Sequence, residues 1–321
     1  MAVLSKLREL SLPYNCYEVG HTWDPECYTA ALSVGACCLL EGMKIYAPLY
    51  LISQILQRKF SLDAFINTIQ SIRTSSCFLG VNGFAFIFIF CLFRRAMGKF
   101  YYLHCSYFPA FVASFLAILV ERKNRRGPLA LYVTNVASET MFRMAVARGI
   151  VKPVANGEIY LFSSVMAMFL YIFVNCLLRW LFEKDQAIYA IPAAFLGGLF
   201  MKFFPSSTLS LYLMWKLIEN GYLIGMEEGV LPKIRGSMLM LYATSTAFLF
   251  YAAVLEPHNL KPAYLKFLTR LTHNKIGEIN RHVLDIFGTH ASKLYSDFWP
   301  ELDLRHTSRV FQESVLLWLI H

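Results

Sequence analysis

A degraded internal duplication constrains this chain more than any other feature. Leu129, Leu131, Tyr132, Glu139 and Gly149 recur 80 positions later as Leu209, Leu211, Tyr212, Glu219 and Gly229. Pro109-Ala110 returns as Pro192-Ala193, and Pro153 and Gly157 return as Pro232 and Gly236. The copies run from Pro109 to Tyr171 and from Pro192 to Tyr251, and each contains three apolar stretches. Three crossings leave the chain on the side opposite its entry, so the second copy enters a bilayer upside down relative to the first. That is the inverted-repeat layout of many transporters.

The duplicated stretches are apolar enough for lipid. Hydrophobic residues make up 57% of the 321 and charged residues 16%, against roughly 25% charged in soluble domains. Such a chain has too little polar surface for water. A hydrocarbon core needs roughly 20 helical residues per crossing, and about eight stretches qualify, six at the lowest count. Two precede the repeats: Thr29 to Leu56, interrupted by Glu41, Lys44 and Pro48, and Ser75 to Phe93. The first copy supplies Phe100 to Val120, Leu129 to Ala147 and Ile159 to Leu178. The second supplies Ala187 to Phe204, Thr208 to Met226 and Ser237 to Leu255.

These spans imply an all-α polytopic membrane helix bundle with five parts. Residues 1–28 form a soluble amino-terminal segment, 29–93 a cysteine-rich helix pair, 100–178 the first three-helix repeat, 187–255 the second, and 256–321 a basic amphipathic tail. No signal-peptide h-region is legible in residues 1–28. In the tail, Leu260, Tyr264, Phe267, Leu268 and Leu271 share one helical face, and Ile279, Val283, Ile286 and Phe287 align farther on. Two roles suit the first stripe: resting on a lipid surface, or packing on the aqueous face of the bundle.

Charges inside the spans carry the sharpest chemistry. Glu41 has Lys44 three residues on, Glu139 has Arg143 four on, and Glu219 has Lys216 three before, spacings that place partners on one helix face. A charge at the bilayer centre costs about 2.5–3.5 kcal/mol on insertion scales. The pairs serve either as braces between helices or as the lining of a polar path, with Glu139 and Glu219 opposed across the repeat. Asn135, Ser138, Thr140 and Asn220 add polarity to the same two helices, which should therefore face inward.

Small residues at four-residue spacing, Ala190, Ala194 and Gly198 with Ala193 and Gly197 beside them, imply close helix packing. The net charge of +9 lies in juxtamembrane clusters, not in a nucleic-acid stripe. Arg122, Lys123, Arg125 and Arg126, with Lys261, Lys266 and Arg270 in the tail, are expected at lipid phosphates. No nucleic-acid partner is expected.

Seven of the eight cysteines lie in the first third: Cys16, Cys27, Cys37, Cys38, Cys77, Cys91 and Cys105, with Cys176 apart. No C-x-x-C pair occurs. Cys16, His21 and Cys27 form only a scattered donor trio, so reduced structural thiols are expected, with no metal and no cofactor. The chain has no P-loop, no dinucleotide-binding glycine motif, no H-E-x-x-H and no G-x-S-x-G, and no enzyme activity is expected.

Several runs resemble a known family. Asn15 to Trp23, Lys44 to Ile52, Ala117 to Gly127, Glu139 to Gly149 and Val283 to Thr289 closely resemble, in order, the transmembrane protein 135 family, also called peroxisomal membrane protein 52. The resemblance implies a multi-pass protein of peroxisomal or mitochondrial membranes, distantly related to the Tim17, Tim22 and Tim23 group. It also implies a process: movement of lipid, fatty acid or sterol and organelle homeostasis, without a catalytic residue to transfer. The alternative is a membrane scaffold that recruits soluble organelle-division factors. The short link from Arg179 to Gln186 and the ending Val310 to His321 depart from the family pattern.

Overall fold

A computed structural model describes residues 11–58, 61–181, 198, 202 and 205–320, with side chains at 173–181 and 315–320 outside the description. The described chain is mainly helical. Its elements are β1 (Ser11–Leu12), α1 (Cys16–Val19), α2 (Cys27–Leu56), α3 (Leu62–Met97), β2 (Phe100–Tyr101), α4 (Tyr107–Val120), α5 (Lys123–Ala147), α6 (Gly157–Leu181), α7 (Ser207–Glu227), α8 (Ser237–Leu255), α9 (Pro262–Leu271) and α10 (Arg309–Ile320). They divide into two compact units: residues 1–127 with 238–321, and residues 128–237.

The first unit is built on the antiparallel pair α2 and α3. Ser61 caps α3 by accepting from the Ala64 amide at 3.2 Å, and Gly98, left-handed at φ 71°, ends it. The pair approaches closely because it lacks side chains at the crossing: a Cβ on Gly35 would stand 2.8 Å from Phe84 Cβ. Pro48 lies inside α2 without ending it. Helix α4 covers the other side of α3 with Ala110, Ala113 and Ala117 buried, and α8 adds Tyr242 against Phe78 and Phe250 against Phe86.

The carboxy-terminal segment belongs to this core. Helix α9 lays Tyr264, Leu268 and Leu271 against the unit. Beyond it the chain turns through short 3-10 segments, so the stretch from Val283 to Phe287 is a single tight turn ended by left-handed Gly288. Asn280 donates through Nδ2 to the Glu18 carbonyl at 3.0 Å and through its amide to Val19 at 3.1 Å. Arg281, 1% exposed, donates to the carbonyls of Ala253 and Ile276 at 3.1 and 2.8 Å and covers the Tyr295 ring.

The second unit holds most of α5, with α6 and α7. The duplicated glycines do the same local work in both copies. Gly149 (φ 70°) and Gly229 (φ 75°) are left-handed, which favours glycine. The residue after each closes the helix end, Ile150 onto Ala145 and Val230 onto Gly225, both at 2.9 Å. Each helix end is followed by a turn into the next helix, so the backbone at these two glycines is alike.

Among the described residues three helices, α2, α3 and α8, are long and apolar enough to cross a membrane. Tyr107–Val120 and Gly157–Ile172 are apolar but shorter. The expected span from Phe100 loses its start because Phe100 and Tyr101 pair instead with Leu12 and Ser11 in a two-stranded antiparallel ladder. The chain is a membrane protein by these apolar helices.

Candidate functional site

Helices α5 and α7 present their polar residues to one another. Asn135 Nδ2 donates to the Thr208 carbonyl at 3.1 Å, and Trp215 Nε1 donates to Ser138 Oγ at 3.0 Å. Each carries an intrahelical ion pair: Arg143 Nη2 to Glu139 Oε1 at 2.9 Å, and Lys216 Nζ to Glu219 Oε2 at 2.6 Å. Glu139, Asn135 and Thr140 are buried, Glu219 is half-buried, and Asn220 is exposed. Asn220 therefore does not face inward as its neighbours do. Tyr132, Met141 and Phe142 give α5 an exposed apolar side.

Of the small-residue stripe, Ala190, Ala193, Ala194 and Gly197 lie outside the described residues. Gly198 is buried, and a Cβ there would stand 2.5 Å from Ser163 Cα. Backbones meet at this point, and any side chain would force them apart.

In the first unit Glu41 is buried and meets three basic groups. Lys44 Nζ lies at 2.5 Å, Arg270 Nε at 3.2 Å and His273 Nε2 at 3.2 Å. The tail helix is thereby fixed to α2, and Arg270, assigned to lipid by its sequence setting, is engaged within the protein. Arg125 bonds Ser75 Oγ and lies over the Tyr50 ring at 4.8 Å. Arg126 donates to the Glu121 and Leu119 carbonyls at 2.9 and 2.8 Å, satisfying the end of α4. Arg122 and Lys261 are half-buried, whereas Lys123 and Lys266 are exposed. The two lysines keep the freest access to a lipid headgroup.

A third constellation joins residues far apart in sequence. Asn15 caps α1 through a capping box with Glu18, and Gly20 then turns the chain directly beneath Phe90. A Cβ on Gly20 would stand 2.4 Å from the Phe90 ring, so a side chain there would have to displace that ring. That approach sets the loop against the residue following Phe90, Cys91. One donor atom from each of Cys16, His21, Cys27 and Cys91 lies within 4.8 Å of all the others. His21 is fully buried; its Nδ1 lies 2.7 Å from the Asp24 carbonyl, and its Nε2 has no hydrogen-bond partner. The trio Cys16, His21 and Cys27 was legible in the sequence, whereas Cys91 lies inside a separate apolar helix and no spacing rule links it to them.

No solved structure matches this chain. Residues 13–146 match the family model of the N-terminal cysteine-rich region of Transmembrane protein 135. Over that stretch, which contains all four members of the thiol and imidazole cluster, the match supports the resemblance of this chain to the transmembrane protein 135 family.

Proposed function

We propose that this protein is a non-enzymatic organelle-membrane protein that supports movement of lipid, fatty acid or sterol along a polar seam between α5 and α7. The observation that carries the reading is the Trp215 to Ser138 hydrogen bond, which joins the two duplicated helices beside Glu139 and Lys216. Neutralised carboxylates beside amide and hydroxyl groups suit an amphipathic cargo, whose headgroup needs polar partners while its chains stay in lipid. In this reading the two copies are inverted in the bilayer, and the exposed Lys123 and Lys266 meet anionic headgroups. The resemblance to the transmembrane protein 135 family supports a peroxisomal or mitochondrial membrane as the setting.

The test is transfer of a labelled long-chain acyl species or sterol from liposomes containing the purified protein. Wild type should exceed empty liposomes, and Glu139→Gln with Glu219→Gln should lose the excess while inserting normally. Wild-type flux equal to that of empty liposomes would remove the path. A scaffold role is the second reading, favoured by Leu294, Trp299 and Leu304, which stand exposed in the tail. Under it, Trp299→Ser with Leu304→Ser lowers co-purification of organelle-division factors and leaves flux unchanged.

A further inference from the structure

We propose that Cys16, His21, Cys27 and Cys91 bind one zinc ion, which fastens the amino-terminal segment to the long helix α3. The site goes beyond the transport reading and does not depend on it.

The donors come from three separate pieces of chain. Cys16 opens α1, His21 follows its end, Cys27 opens α2 and Cys91 lies near the end of α3. Four donor atoms within 4.8 Å of one another are close to what one tetrahedral ion requires. With sulfur at about 2.3 Å and nitrogen at about 2.0 Å from zinc, ligand atoms sit about 3.5 Å apart. The cluster reaches that spacing by contracting at most about 1.3 Å.

The histidine supplies the independent observation. Donation from Nδ1–H to the Asp24 carbonyl fixes the tautomer and leaves the lone pair on Nε2. That atom is buried in a residue with no exposed surface, and it has no hydrogen-bond partner. An orphaned imidazole nitrogen beside three thiols, with its other nitrogen held by a backbone carbonyl, is the arrangement that metal-binding histidines adopt. A disulfide would use two of the sulfurs and leave both the third and the nitrogen unsatisfied.

The donor chemistry selects the ion. Three sulfurs and an imidazole suit zinc and exclude the hard cations magnesium and calcium, which take oxygen. Binding releases the three thiol protons to solvent and involves no change of oxidation state. Three thiolates around Zn²⁺ leave one net negative charge. Arg94 lines the same pocket as Cys16, Cys27 and Cys91, held there by the Tyr14 and Pro13 carbonyls at 2.6 and 2.9 Å. With four protein ligands and no open position, the ion is structural.

The experiment is metal analysis of the full chain, purified in detergent without chelator, offered zinc and then freed of excess. About one zinc per chain should remain. Cobalt in its place should give the intense visible absorption of tetrahedral thiolate coordination. Cys91→Ser and His21→Ala should each lose the metal, while Cys37→Ser and Cys77→Ser keep it. Because the ligand variants can also misfold, wild-type thiols provide a second readout: Cys16, Cys27 and Cys91 should resist alkylation until a strong chelator is added. Zinc far below one per chain, iron with acid-labile sulfide, a disulfide among the three cysteines, or alkylation indifferent to the chelator would each overturn the proposal.

Discussion

Arg270 Nε meets Glu41 Oε2 at 3.2 Å across 229 residues of sequence. The carboxylate is 5% exposed and also receives Lys44 and His273, so it is the point at which the tail helix α9 is fixed to α2. A carboxylate buried to this degree is tolerable because cations surround it.

Glu41→Gln keeps the shape and removes the charge, leaving basic groups without their counterion. We expect a loss of stability, read as a lower thermal midpoint of the detergent-solubilised protein. Adding Arg270→Gln should cost little more, since the pair's interaction is already gone. Equal and additive losses would show that the two residues act independently.

Arg281 is buried in the tail, and burial pushes its guanidinium down to about 10. At that value it remains charged at neutral pH, and the backbone carbonyls of Gly277, Ile276 and Ala253 accept its hydrogen bonds. Arg281→Met should therefore destabilise by about 3 kcal/mol or more through orphaned carbonyls. Arg281→Lys should not rescue it, because an ammonium lacks the planar fork. Limited proteolysis of the tail would report the change as faster cleavage after residue 255.

Gly20→Ala drives a methyl group into the Phe90 ring, since the new Cβ would stand 2.4 Å away. Overpacking of this kind costs about 1–3 kcal/mol. Phe90→Leu in the same chain should restore part of the loss by vacating the contact. Absence of any rescue would place the strain elsewhere.

His258 responds to pH. Burial lowers its pKa, helped by Lys293 nearby and opposed by Glu256. A histidine lowered in the folded state takes up protons more readily when unfolded, so stability is full above the ordinary histidine range and declines as pH falls through it. The thermal midpoint should fall between about pH 7.5 and 5.5, and His258→Gln should flatten that part of the profile. A variant profile as steep as the wild type would assign the effect to other groups.

Local periodicity made much of this molecule legible. Charge pairs three and four residues apart close within their own helices because helical geometry alone brings them together. Gly149 and Gly229 likewise announce helix ends through backbone chemistry. What sequence spacing does not encode is the meeting of distant segments. Arg270 reads as a tail cation until α9 brings it to Glu41, and no spacing in the sequence marks Arg281 for burial. Cys91 reads as one apolar position among many, and only the approach of Gly20 to Phe90 brings it to Cys16 and Cys27. The expected span from Phe100 failed at its start for a related reason: two residues found ladder partners in a segment with no helical signal of its own.

The first unit is assembled from residues 1–127 and 238–321, and this sets an order on biogenesis. Asn280 and Arg281, which bind the Glu18 and Ala253 carbonyls, leave the ribosome long after α2 and α3. The intervening 110 residues alone take roughly 5–20 s to synthesise. During that interval the early helices carry their apolar faces without the segment that completes their packing, and the translocation machinery or the bilayer must shelter them. A premature stop within the second unit would therefore leave the first one unfinished as well.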